Sequence, residues 1–419
     1  MKKVYIETNG CAVLRHETYK IAMAFEKNEY EETSDIQEAN VVIMTGCAVI
    51  DSNERYALEA IKRINTQRNK YSTFIVSGCL PAICGEKVRQ ISSDIILLKY
   101  GEISKIDEIF SFKTSINDVY FNCEPKRHHS FGDPEIVVQE SEQQDEWLVR
   151  KIDDACKNTK AYNQFVYSTR GRHLWREKDL FEIRVSYGCA NRCSYCATKI
   201  AIGDFVSVPL KKILEQVELA SQKGYKRIML MGDEIGYWND GGYNIVDLVS
   251  AIENLDASIR IGIRYISPDI IVKYYRHLEE HFASGRIYYF CSAFQSGSSR
   301  ILTLMNRNPN ITPFINCMKD IEDNRYPVMK HTQIIVGFPT ETAEDVMDTL
   351  DCLQQAAFDH VTITKYCPRK GTKAYEYDCL TDDVVDKRVR VFENWLLINR
   401  NSKLYNAVKQ EVINTHDQI

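Results

Sequence analysis

The sequence predicts an α/β protein with an amino-terminal open parallel α/β sheet, then a partial (β/α)6 barrel and a helical carboxyl-terminal tail. Short β-branched runs alternate with helical stretches over residues 1 to about 120, and the same rhythm returns from residue 180 onward. Strands that alternate with helices indicate parallel sheets built from βαβ units. At 419 residues, the chain also exceeds the size of a usual single core.

These patterns predict four regions. Residues 1–122 form the amino-terminal sheet domain, 123–178 a connector, 179–378 the barrel domain and 379–419 the helical tail. The connector contains the proline- and glycine-punctuated stretch EPKRHHSFGDPE followed by a strongly charged stretch, which is typical of segments between domains.

The composition is that of an ordinary globular protein, with 44% hydrophobic and 26% charged residues. No apolar run approaches the roughly 18 residues that cross a bilayer, and the start MKKVYIETNGC enters a strand pattern without an apolar signal core. We therefore expect a cytoplasmic protein with no membrane partner. The net charge of −5 lacks the basic excess of a dedicated nucleic-acid binder.

Fourteen cysteines in a chain without a signal peptide are not expected to form disulfides, because the cytosol keeps thiols reduced. Their number instead suggests metal or cluster ligation for some of them. Eight are interpreted as small buried hydrophobic residues, namely Cys84, Cys123, Cys156, Cys291, Cys317, Cys352, Cys367 and Cys379. Six cysteines remain as candidate ligands.

Three of the candidates follow predicted strands of the amino-terminal sheet. The strands are VYIET from Val4, VVIMT from Val41, FIVSG from Phe74 and DIILL from Asp94, with the helical segment NERYALEAIKRINTQ between the second and third. Cys11, Cys47 and Cys79 each come directly after a glycine at the end of one of the first three. Neighbouring parallel strands place their carboxyl ends side by side, where ligands bind. We expect these three thiols to converge on one edge.

The second half contains six further predicted strands separated by helical patterns. They are FEIRVSY from Phe181, RIMLMG from Arg227, RIGIRYI from Arg260, RIYYFCSAF from Arg286, HTQIIVG from His331 and HVTITKY from His360. Six β/α units fit a partial barrel, in which active residues lie at the carboxyl ends of the strands. In the tail, Val385, Val389, Phe392 and Trp395 recur with helical periodicity.

The first barrel strand runs into VSYGCANRCSYCATK, which gives Cys189, Cys193 and Cys196 the spacing C-x3-C-x2-C. Three thiolates this close together can cap three corners of a cubane iron–sulfur cluster and leave the fourth iron open. Zinc is the alternative, because it also binds thiolates. A structural zinc site needs four ligands, however, and no fourth Cys or His lies within this loop.

This cysteine spacing resembles the signature of the radical SAM superfamily. The resemblance implies a [4Fe-4S] cluster whose open iron binds S-adenosylmethionine (SAM), and cleavage of SAM to a 5′-deoxyadenosyl radical. It also implies SAM contacts at the other strand ends, with polar groups near the SAM ammonium and an aromatic residue near the adenine. The matching residues are Tyr195, Asp233, Glu234, Arg264, Ser267, Gln295, Ser296 and Val336.

Read together, the two halves resemble the radical SAM methylthiotransferases. The segments that carry this resemblance are TGCAVIDSNERYALEAIKR, VSGCLP, FQSGSSRILTLMNR, IIVGFPTETAEDVMDTL and YCPRKGTKA. The resemblance covers nearly the whole chain to about residue 405. The resemblance implies a sulfur-group transferase in which Cys11, Cys47 and Cys79 bind an auxiliary [4Fe-4S] cluster. One SAM would methylate a sulfur atom on that cluster, and a second would supply the radical that activates a substrate C–H bond.

The sequence departs from the tRNA and ribosomal-protein modifiers of this family in several places. These relatives have a small β-barrel domain after the barrel, where this chain ends at Ile419. Cys291 stands where relatives commonly have a histidine, and Gln333 where they commonly have an acid. We expect both at strand ends, where they would change the substrate contacts. The missing β-barrel domain and the negative net charge favour a peptide or protein substrate, such as a ribosomally made natural-product precursor.

Besides a radical SAM enzyme that has lost sulfur transfer and uses its second cluster otherwise, two alternatives remain open. The first is a tRNA methylthiotransferase, which would need a basic groove; Arg170, Arg172, His173 and Arg176 could form one. The second is an iron–sulfur binding or electron-transfer protein without SAM chemistry. For the enzyme, the resemblance also implies a low-potential electron donor such as flavodoxin or ferredoxin.

Overall fold

The computed structural model describes residues 2–119 and 180–398. The predicted connector 123–178, its basic cluster at residues 170–176 and the end of the tail at 399–419 therefore lie outside the described residues. The described chain separates into two compact units. Unit 1 contains residues 2–119, 197–205 and 369–371, and unit 2 contains residues 180–196, 206–368 and 372–398.

Unit 1 contains a five-stranded parallel sheet with the strand order β2-β1-β3-β4-β5. Its strands are β1 Lys2–Thr8, β2 Tyr30–Glu32, β3 Val41–Gly46, β4 Thr73–Gly78 and β5 Ile96–Lys99. Its helices are α1 Ala12–Lys27, α2 Asp51–Gln67, α3 Leu80–Ile91, α4 Lys105–Phe110 and α5 Thr198–Ile202. The four predicted strands are confirmed, and β2 is an additional short edge strand that its polar sequence YEE did not indicate.

Both faces of the unit 1 sheet are covered, as a parallel sheet requires. All six residues of β3 are buried, and successive side chains point to opposite faces. Val41 and Ile43 therefore join one core cluster, while Val42 and Met44 join another. This division explains why the strand reads as a continuous apolar run.

Unit 2 contains a six-stranded sheet whose strands follow each other in sequence order and are all parallel to their neighbours. The strands are β6 Leu180–Arg184, β9 Arg227–Met231, β10 Arg260–Arg264, β11 Ile287–Cys291, β12 Met329–Val336 and β13 His360–Lys365. The helices are α6 Leu210–Gln222, α7 Ile245–Leu255, α8 Pro268–Ala283, α9 Ser299–Leu304, α10 Thr312–Asp323, α11 Ala343–Ala356 and α12 Asp382–Ile398. This architecture confirms the predicted six β/α units.

Two short strands form a separate antiparallel pair in unit 2. They are β7 Ser186–Tyr187 and β8 Val206–Ser207, and they join the two ends of the loop that carries the second cysteine triad. The predicted single strand FEIRVSY is therefore divided between β6 and β7, because the chain leaves the main sheet after Arg184.

The described part of the tail is helical, as predicted. In α12, Val385, Phe392 and Trp395 are buried and Val389 is half-buried. Arg388 on the same helix donates to the backbone oxygen of Glu341 at 2.8 Å. The tail helix is thus packed on unit 2 by the apolar face that its periodicity indicated. Within the described residues, no helix combines the length and apolar character needed to cross a membrane.

We predict that Phe25→Ala strongly destabilises unit 1. The Phe25 ring is fully buried and lies edge-on to Tyr30, Phe110 and Phe112, with centroids 4.9, 5.2 and 4.9 Å away. Removing such a ring leaves a cavity and costs about 3–5 kcal/mol of unfolding free energy. Urea unfolding measures this loss. The control Tyr71→Ala, at a side chain 84% exposed, should change stability by less than about 0.5 kcal/mol; equal effects would contradict the assignment of this core.

Candidate functional site

The first three candidate cysteines lie at the carboxyl ends of adjacent strands. Cys11 follows β1, Cys47 follows β3 and Cys79 follows β4, and the sheet order β1-β3-β4 makes these strands direct neighbours. Cys47 and Cys79 are buried, and Cys11 is exposed. Unit 1 therefore brings the three predicted thiols to one sheet edge.

The glycines before these cysteines allow a close approach of neighbouring segments. At Gly78 the backbone is left-handed, with φ of +94°, and an added Cβ would lie 2.9 Å from the Gly46 carbonyl oxygen. An added Cβ at Gly10 would lie 2.7 Å from the Leu14 side chain. A side chain at either position would push the strand ends apart, and the left-handed backbone at Gly78 favours glycine in addition.

Two asparagines fix the segment around Cys47. Asn9 accepts a hydrogen bond from the Cys47 backbone nitrogen at 2.9 Å and donates to the Asn53 backbone oxygen at 2.7 Å. The Asn53 side-chain amide donates to Cys47 Sγ at 3.4 Å. Asn9 precedes Gly10 and Cys11 in the sequence, so it ties the loops of the first and second cysteines together.

Arg369 supports the same loop from a distant part of the sequence. Its Nε donates to the backbone oxygen of Val49 at 3.0 Å, and its guanidinium forms ion pairs with Glu54 and, at 3.1 Å, with Asp51. The side chains of both Arg369 and Glu54 are buried. Separating a buried ion pair leaves an uncompensated charge, which is strongly unfavourable. This ion pair therefore holds the loop after Cys47 in one preferred position.

Burial disfavours ionisation of the middle thiol. It raises the pKa of Cys47 to about 11, and negative charge on Cys11 adds to the rise, whereas the hydrogen bond from Asn53 opposes it. A thiol in this setting gains its thiolate form when a positively charged metal centre binds it.

In unit 2 the second triad lies on the loop between β7 and β8, directly after the first barrel strand. Cys189, Cys193 and Cys196 are half-buried. Burial raises the pKa of Cys189 to about 12, and negative charge on Glu234, Cys196 and Cys193 contributes to this rise. Cys193 and Cys196 are therefore close enough to Cys189 to affect its ionisation.

The end of α9 contacts this loop through backbone atoms. The Ser194 backbone nitrogen donates to the Met305 oxygen at 2.9 Å, and its hydroxyl donates to the Leu304 oxygen at 2.7 Å. Asn306 donates from its side-chain amide to the Arg192 oxygen at 2.7 Å. These bonds satisfy the last carbonyls of a helix and fix the loop between the first and third cysteines.

Asp233 and Glu234 follow β9, as predicted, but their carboxylates have different partners. Asp233 forms an ion pair with Arg184 at 2.7 Å and accepts from the Gly188 backbone nitrogen at 3.1 Å. This contact fixes the residue before Cys189. Burial raises the pKa of Asp233 even though Arg184 opposes the shift.

The Glu234 carboxylate is buried and turned toward the loop of the second triad. One oxygen accepts from the backbone nitrogens of Gly236 at 2.9 Å and Ser267 at 3.1 Å. The other lies 3.5 Å from the Asn191 side-chain amide. Burial raises the pKa of Glu234 to about 7. A cation beside this carboxyl group would favour its charged form.

The third and fourth strand ends add further polar groups. Arg264 ends β10 and is buried, and Ser267 precedes α8. Gln295 has a left-handed φ of 71°, and its side-chain oxygen is buried without a hydrogen-bond partner among the described residues. Ser296 has a different setting, because its hydroxyl oxygen accepts from the Ser298 backbone nitrogen at 3.2 Å.

The two remaining predicted SAM contacts are apolar. Val336 ends β12 and is fully buried, and its backbone oxygen accepts from the Tyr366 nitrogen at 2.8 Å. Tyr195 packs against a core cluster that includes Met305 and Phe338, and its ring meets the Phe338 ring edge-on at 6.5 Å.

The two departures noted in the sequence have different environments. Cys291 is the last residue of β11 and is fully buried, with burial raising the pKa of its thiol to about 12. Gln333 was expected at a strand end, and this expectation is wrong. It lies inside β12 opposite Thr362, because that strand continues to Val336.

The remaining cysteines have no common setting. Cys379, for example, is exposed although packing was expected to bury it. Among residues 2–119 and 180–398, no three His, Cys, Asp or Glu side chains are gathered as the ligands of a single metal ion. The thiolates of a cubane each bind a different iron, so such a triad is spaced more widely.

Sequence motifs identified the cysteines but missed part of their surroundings. Asn9, Asn53, Arg307 and Arg369 contact the cysteine loops, yet no role was expected for them. Three of the four lie within the segments quoted above for the family resemblance. Their position within these segments was the available sequence signal for a role. Their hydrogen-bond partners can be identified only from the structure.

Comparison with protein families matches each half separately. Residues 183–353 match the family described as "Radical SAM superfamily", and residues 3–98 match the one described as "Uncharacterized protein family UPF0004".

Curated relatives match nearly the whole chain. A "Probable threonylcarbamoyladenosine tRNA methylthiotransferase" of Pyrococcus abyssi is 28% identical over 93% of this chain and 83% of that protein. A "tRNA-2-methylthio-N(6)-dimethylallyladenosine synthase" of Acetivibrio thermocellus is 27% identical over 100% of this chain and 83% of that protein. A "Threonylcarbamoyladenosine tRNA methylthiotransferase MtaB" of Thermotoga maritima is 29% identical over 89% and 77%.

Solved structures support the fold alone. The radical SAM methyltransferase TsrM from Kitasatospora setae has a TM-score of 0.59 at 12% identity and covers 89% of this chain and 77% of that chain. The cobalamin-dependent radical enzyme OxsB has a TM-score of 0.52 at 12% identity, with 94% and 56% covered. At this identity, likeness of fold carries no statement about substrate.

We predict that Asn9→Ala loosens the Cys47 loop of the metal-free chain. The substitution leaves the Cys47 backbone nitrogen and the Asn53 backbone oxygen without their partner, which costs about 1–3 kcal/mol. Cys47 should then react with iodoacetamide at least about tenfold faster, since 1.4 kcal/mol corresponds to a factor of ten. Peptide mass spectrometry measures the rate at each cysteine. Asn117→Ala, at an exposed side chain, is the control, and an unchanged rate at Cys47 in Asn9→Ala would contradict this role.

Proposed function

Because this chain belongs to the radical SAM methylthiotransferase family, we propose that it inserts a methylthio group at an unactivated C–H bond of a tRNA nucleoside. The family identifies the chain as an enzyme that uses a [4Fe-4S] cluster and SAM. Two details go further and are part of the proposal. They are the presence of a second [4Fe-4S] cluster and the choice of tRNA over peptide.

The carrying observation is the convergence of Cys11, Cys47 and Cys79 on adjacent strand ends. The radical SAM reaction itself needs only Cys189, Cys193 and Cys196. The other three cysteines therefore need a separate explanation. Their spacing along the chain is wide, and only the parallel sheet unites them. We assign them to an auxiliary [4Fe-4S] cluster, and the glycines at 10 and 78 support this by letting the neighbouring segments approach closely.

The residues of unit 1 fit this group in charge as well as in position. Neutral amide donors, such as the side chain of Asn53, point at the Cys47 sulfur. Arg369 contributes a positive charge that favours the Cys47 thiolate. Hydrogen bonds and charges around the sulfurs are the means by which a protein stabilises and tunes a cluster.

Cys189, Cys193 and Cys196 are assigned to the radical SAM cluster. When bound there, the cluster supplies the electron for reductive cleavage of SAM. The chain's own contribution is to keep the loop in one place, through the Asp233 contact to Gly188 and the Ser194 contacts to the end of α9. A positioned sulfur donor and a positioned radical source shorten the path of a reactive intermediate.

The SAM contacts follow from the groups that the strand ends present. Glu234 is a buried carboxylate beside the cluster loop and suits the SAM ammonium, while the buried oxygen of Gln295 offers an acceptor. Tyr195 presents an aromatic ring for the adenine. Asp233 and Ser296 have their polar atoms engaged by the protein, so we assign them to supporting the site. Arg264, Ser267 and Val336 complete the proposed lining.

The substrate proposal rests on the relatives. Those reported above are named for tRNA that carries threonylcarbamoyladenosine or N(6)-dimethylallyladenosine. They favour the tRNA alternative over the peptide substrate that charge and chain length suggested. A net charge of −5 is an average over the surface, and a local basic groove is compatible with it. We therefore propose a modified adenosine of tRNA as the substrate.

The two triads should be separable by mutation. Cys193→Ala is expected to abolish SAM cleavage to 5′-deoxyadenosine, whereas Cys47→Ala should spare cleavage and abolish methylthio transfer. Bound iron should fall by about half in each, since each cluster needs its own thiolates. Anaerobic turnover with mass spectrometry and iron analysis measures all three quantities. Cys379→Ala, at an exposed cysteine, is the control, and normal transfer by Cys47→Ala would overturn the auxiliary site.

The substrate class is tested by offering both polymers. The reconstituted chain is incubated anaerobically with SAM and reductant, against bulk tRNA and against precursor peptides encoded nearby. We expect a methylthio mass gain on an adenosine nucleoside after tRNA digestion, with activity falling as salt rises because phosphate contacts are screened. A gain on peptide alone would replace the tRNA proposal while leaving the methylthiotransferase assignment intact.

A further inference from the structure

We infer that Arg307 is a positioning residue that makes the radical SAM cluster easier to reduce, by donating a charged hydrogen bond to the Cys193 sulfur. This inference rests on the proposed assignment of Cys189, Cys193 and Cys196 to that cluster.

The guanidinium of Arg307 lies between the cluster loop and the end of β11. Its Nη1 is 3.6 Å from Cys193 Sγ and 3.5 Å from the Tyr195 hydroxyl. Its Nη2 donates to the Ala293 backbone oxygen at 2.7 Å. One nitrogen thus fixes the side chain to the barrel scaffold, and the other is directed at the sulfur of a proposed ligand.

The backbone around Arg307 leaves the side chain little freedom. The Arg307 nitrogen donates to the Leu302 oxygen at 2.9 Å as the chain leaves α9, and Asn306 has a left-handed φ of 55°. Asn306 in turn donates to the Arg192 oxygen at 2.7 Å. Asn306, the residue before Arg307, is therefore hydrogen-bonded to Arg192, the residue before Cys193. This bond holds the backbones at Arg307 and Cys193 close together.

The charge of Arg307 is retained in this setting. Arginine stays protonated in proteins and has no other ionisation state to adopt. A fixed positive charge thus lies within hydrogen-bond distance of the Cys193 sulfur.

A nearby cation favours the more negative oxidation state of a cluster. Reduction adds one electron, taken from a low-potential donor, and no bond to Arg307 forms or breaks. The attraction between the guanidinium and that electron is large where water is excluded. Hydrogen bonds to the sulfurs and the local net charge are the established means of setting cluster potentials.

A second explanation predicts a different result. If Arg307 served only to bind the SAM carboxylate, its removal would raise the KM for SAM and leave the potential of the SAM-free cluster unchanged. If it served only to pack the loop, removal would lower iron content without a shift in the clusters that remain. The measurement must therefore be made on the cluster before SAM is added.

The test is a potentiometric titration of the full-length reconstituted chain, followed by electron paramagnetic resonance. The signal that changes on later addition of SAM identifies the cluster. In Arg307→Met the ratio of reduced to oxidised cluster at a fixed potential should fall about tenfold, equal to a shift of about 59 mV to more negative values for one electron. Arg307→Lys keeps the charge and should restore most of the potential.

Arg192→Met provides the matched control. Arg192 precedes Cys193 in the sequence, but its side chain is exposed, so water and salt screen the lost charge. The reduction potential of the cluster in Arg192→Met should stay near that of the unsubstituted chain. If the Arg307→Met protein does not bind the cluster, the titration is made with Arg307→Gln instead. The glutamine side chain keeps a hydrogen-bond donor but carries no charge.

An unchanged potential in Arg307→Met or Arg307→Gln, with the cluster signal present, overturns the inference. Absence of the SAM-sensitive signal in the unsubstituted chain would instead contradict the cluster assignment itself. The two failures are thus distinguishable.

Discussion

Hydrogen-bonded parallel strands end side by side, and both proposed cysteine sites depend on this constraint. In unit 1 the strands before Cys11, Cys47 and Cys79 are direct neighbours, so residues far apart in the sequence reach one edge of the sheet. In unit 2 the same geometry brings the turn after β9 beside the loop after β6. Loops at these edges can differ while the sheet keeps its form.

Burial places a second demand on the cysteine loops. Thiols and carboxylates that leave water become harder to ionise, as the raised pKa values of Cys47, Cys189 and Glu234 indicate. Hydrogen-bond donors directed at sulfur offset this cost, namely the Asn53 amide at Cys47 and the half-buried guanidinium of Arg307 at Cys193. These contacts lower the cost of bringing charge into the interior and narrow the positions that the loops can adopt.

The fold and the chemistry of this family leave the substrate open. A similar fold occurs in TsrM and OxsB at 12% identity, and fold alone does not identify what an enzyme modifies. Relatives over nearly the whole chain are named for tRNA, whereas overall charge had pointed toward a peptide. Net charge sums every surface and therefore says little about one groove.

The sequence by itself determined the strand and helix pattern, and it identified the six cysteines by their spacing and by the glycines before them. Apolar runs such as β3 are legible because both faces of a parallel sheet are buried. The polar edge strand β2 was missed because its residues carry no such pattern. The pattern did predict the strand that contains Gln333, so the expectation that Gln333 ends a strand had no support in it.

Only the tertiary structure decided which polar side chains surround the thiols. Asn9 reaches Cys47 across 38 positions, Arg307 reaches Cys193 across 114, and Arg369 reaches Glu54 across 315. No local propensity or spacing encodes such contacts, because they depend on where the sheet places distant segments. Strand periodicity is a property of neighbouring residues, whereas a hydrogen bond to a sulfur is a property of the folded chain.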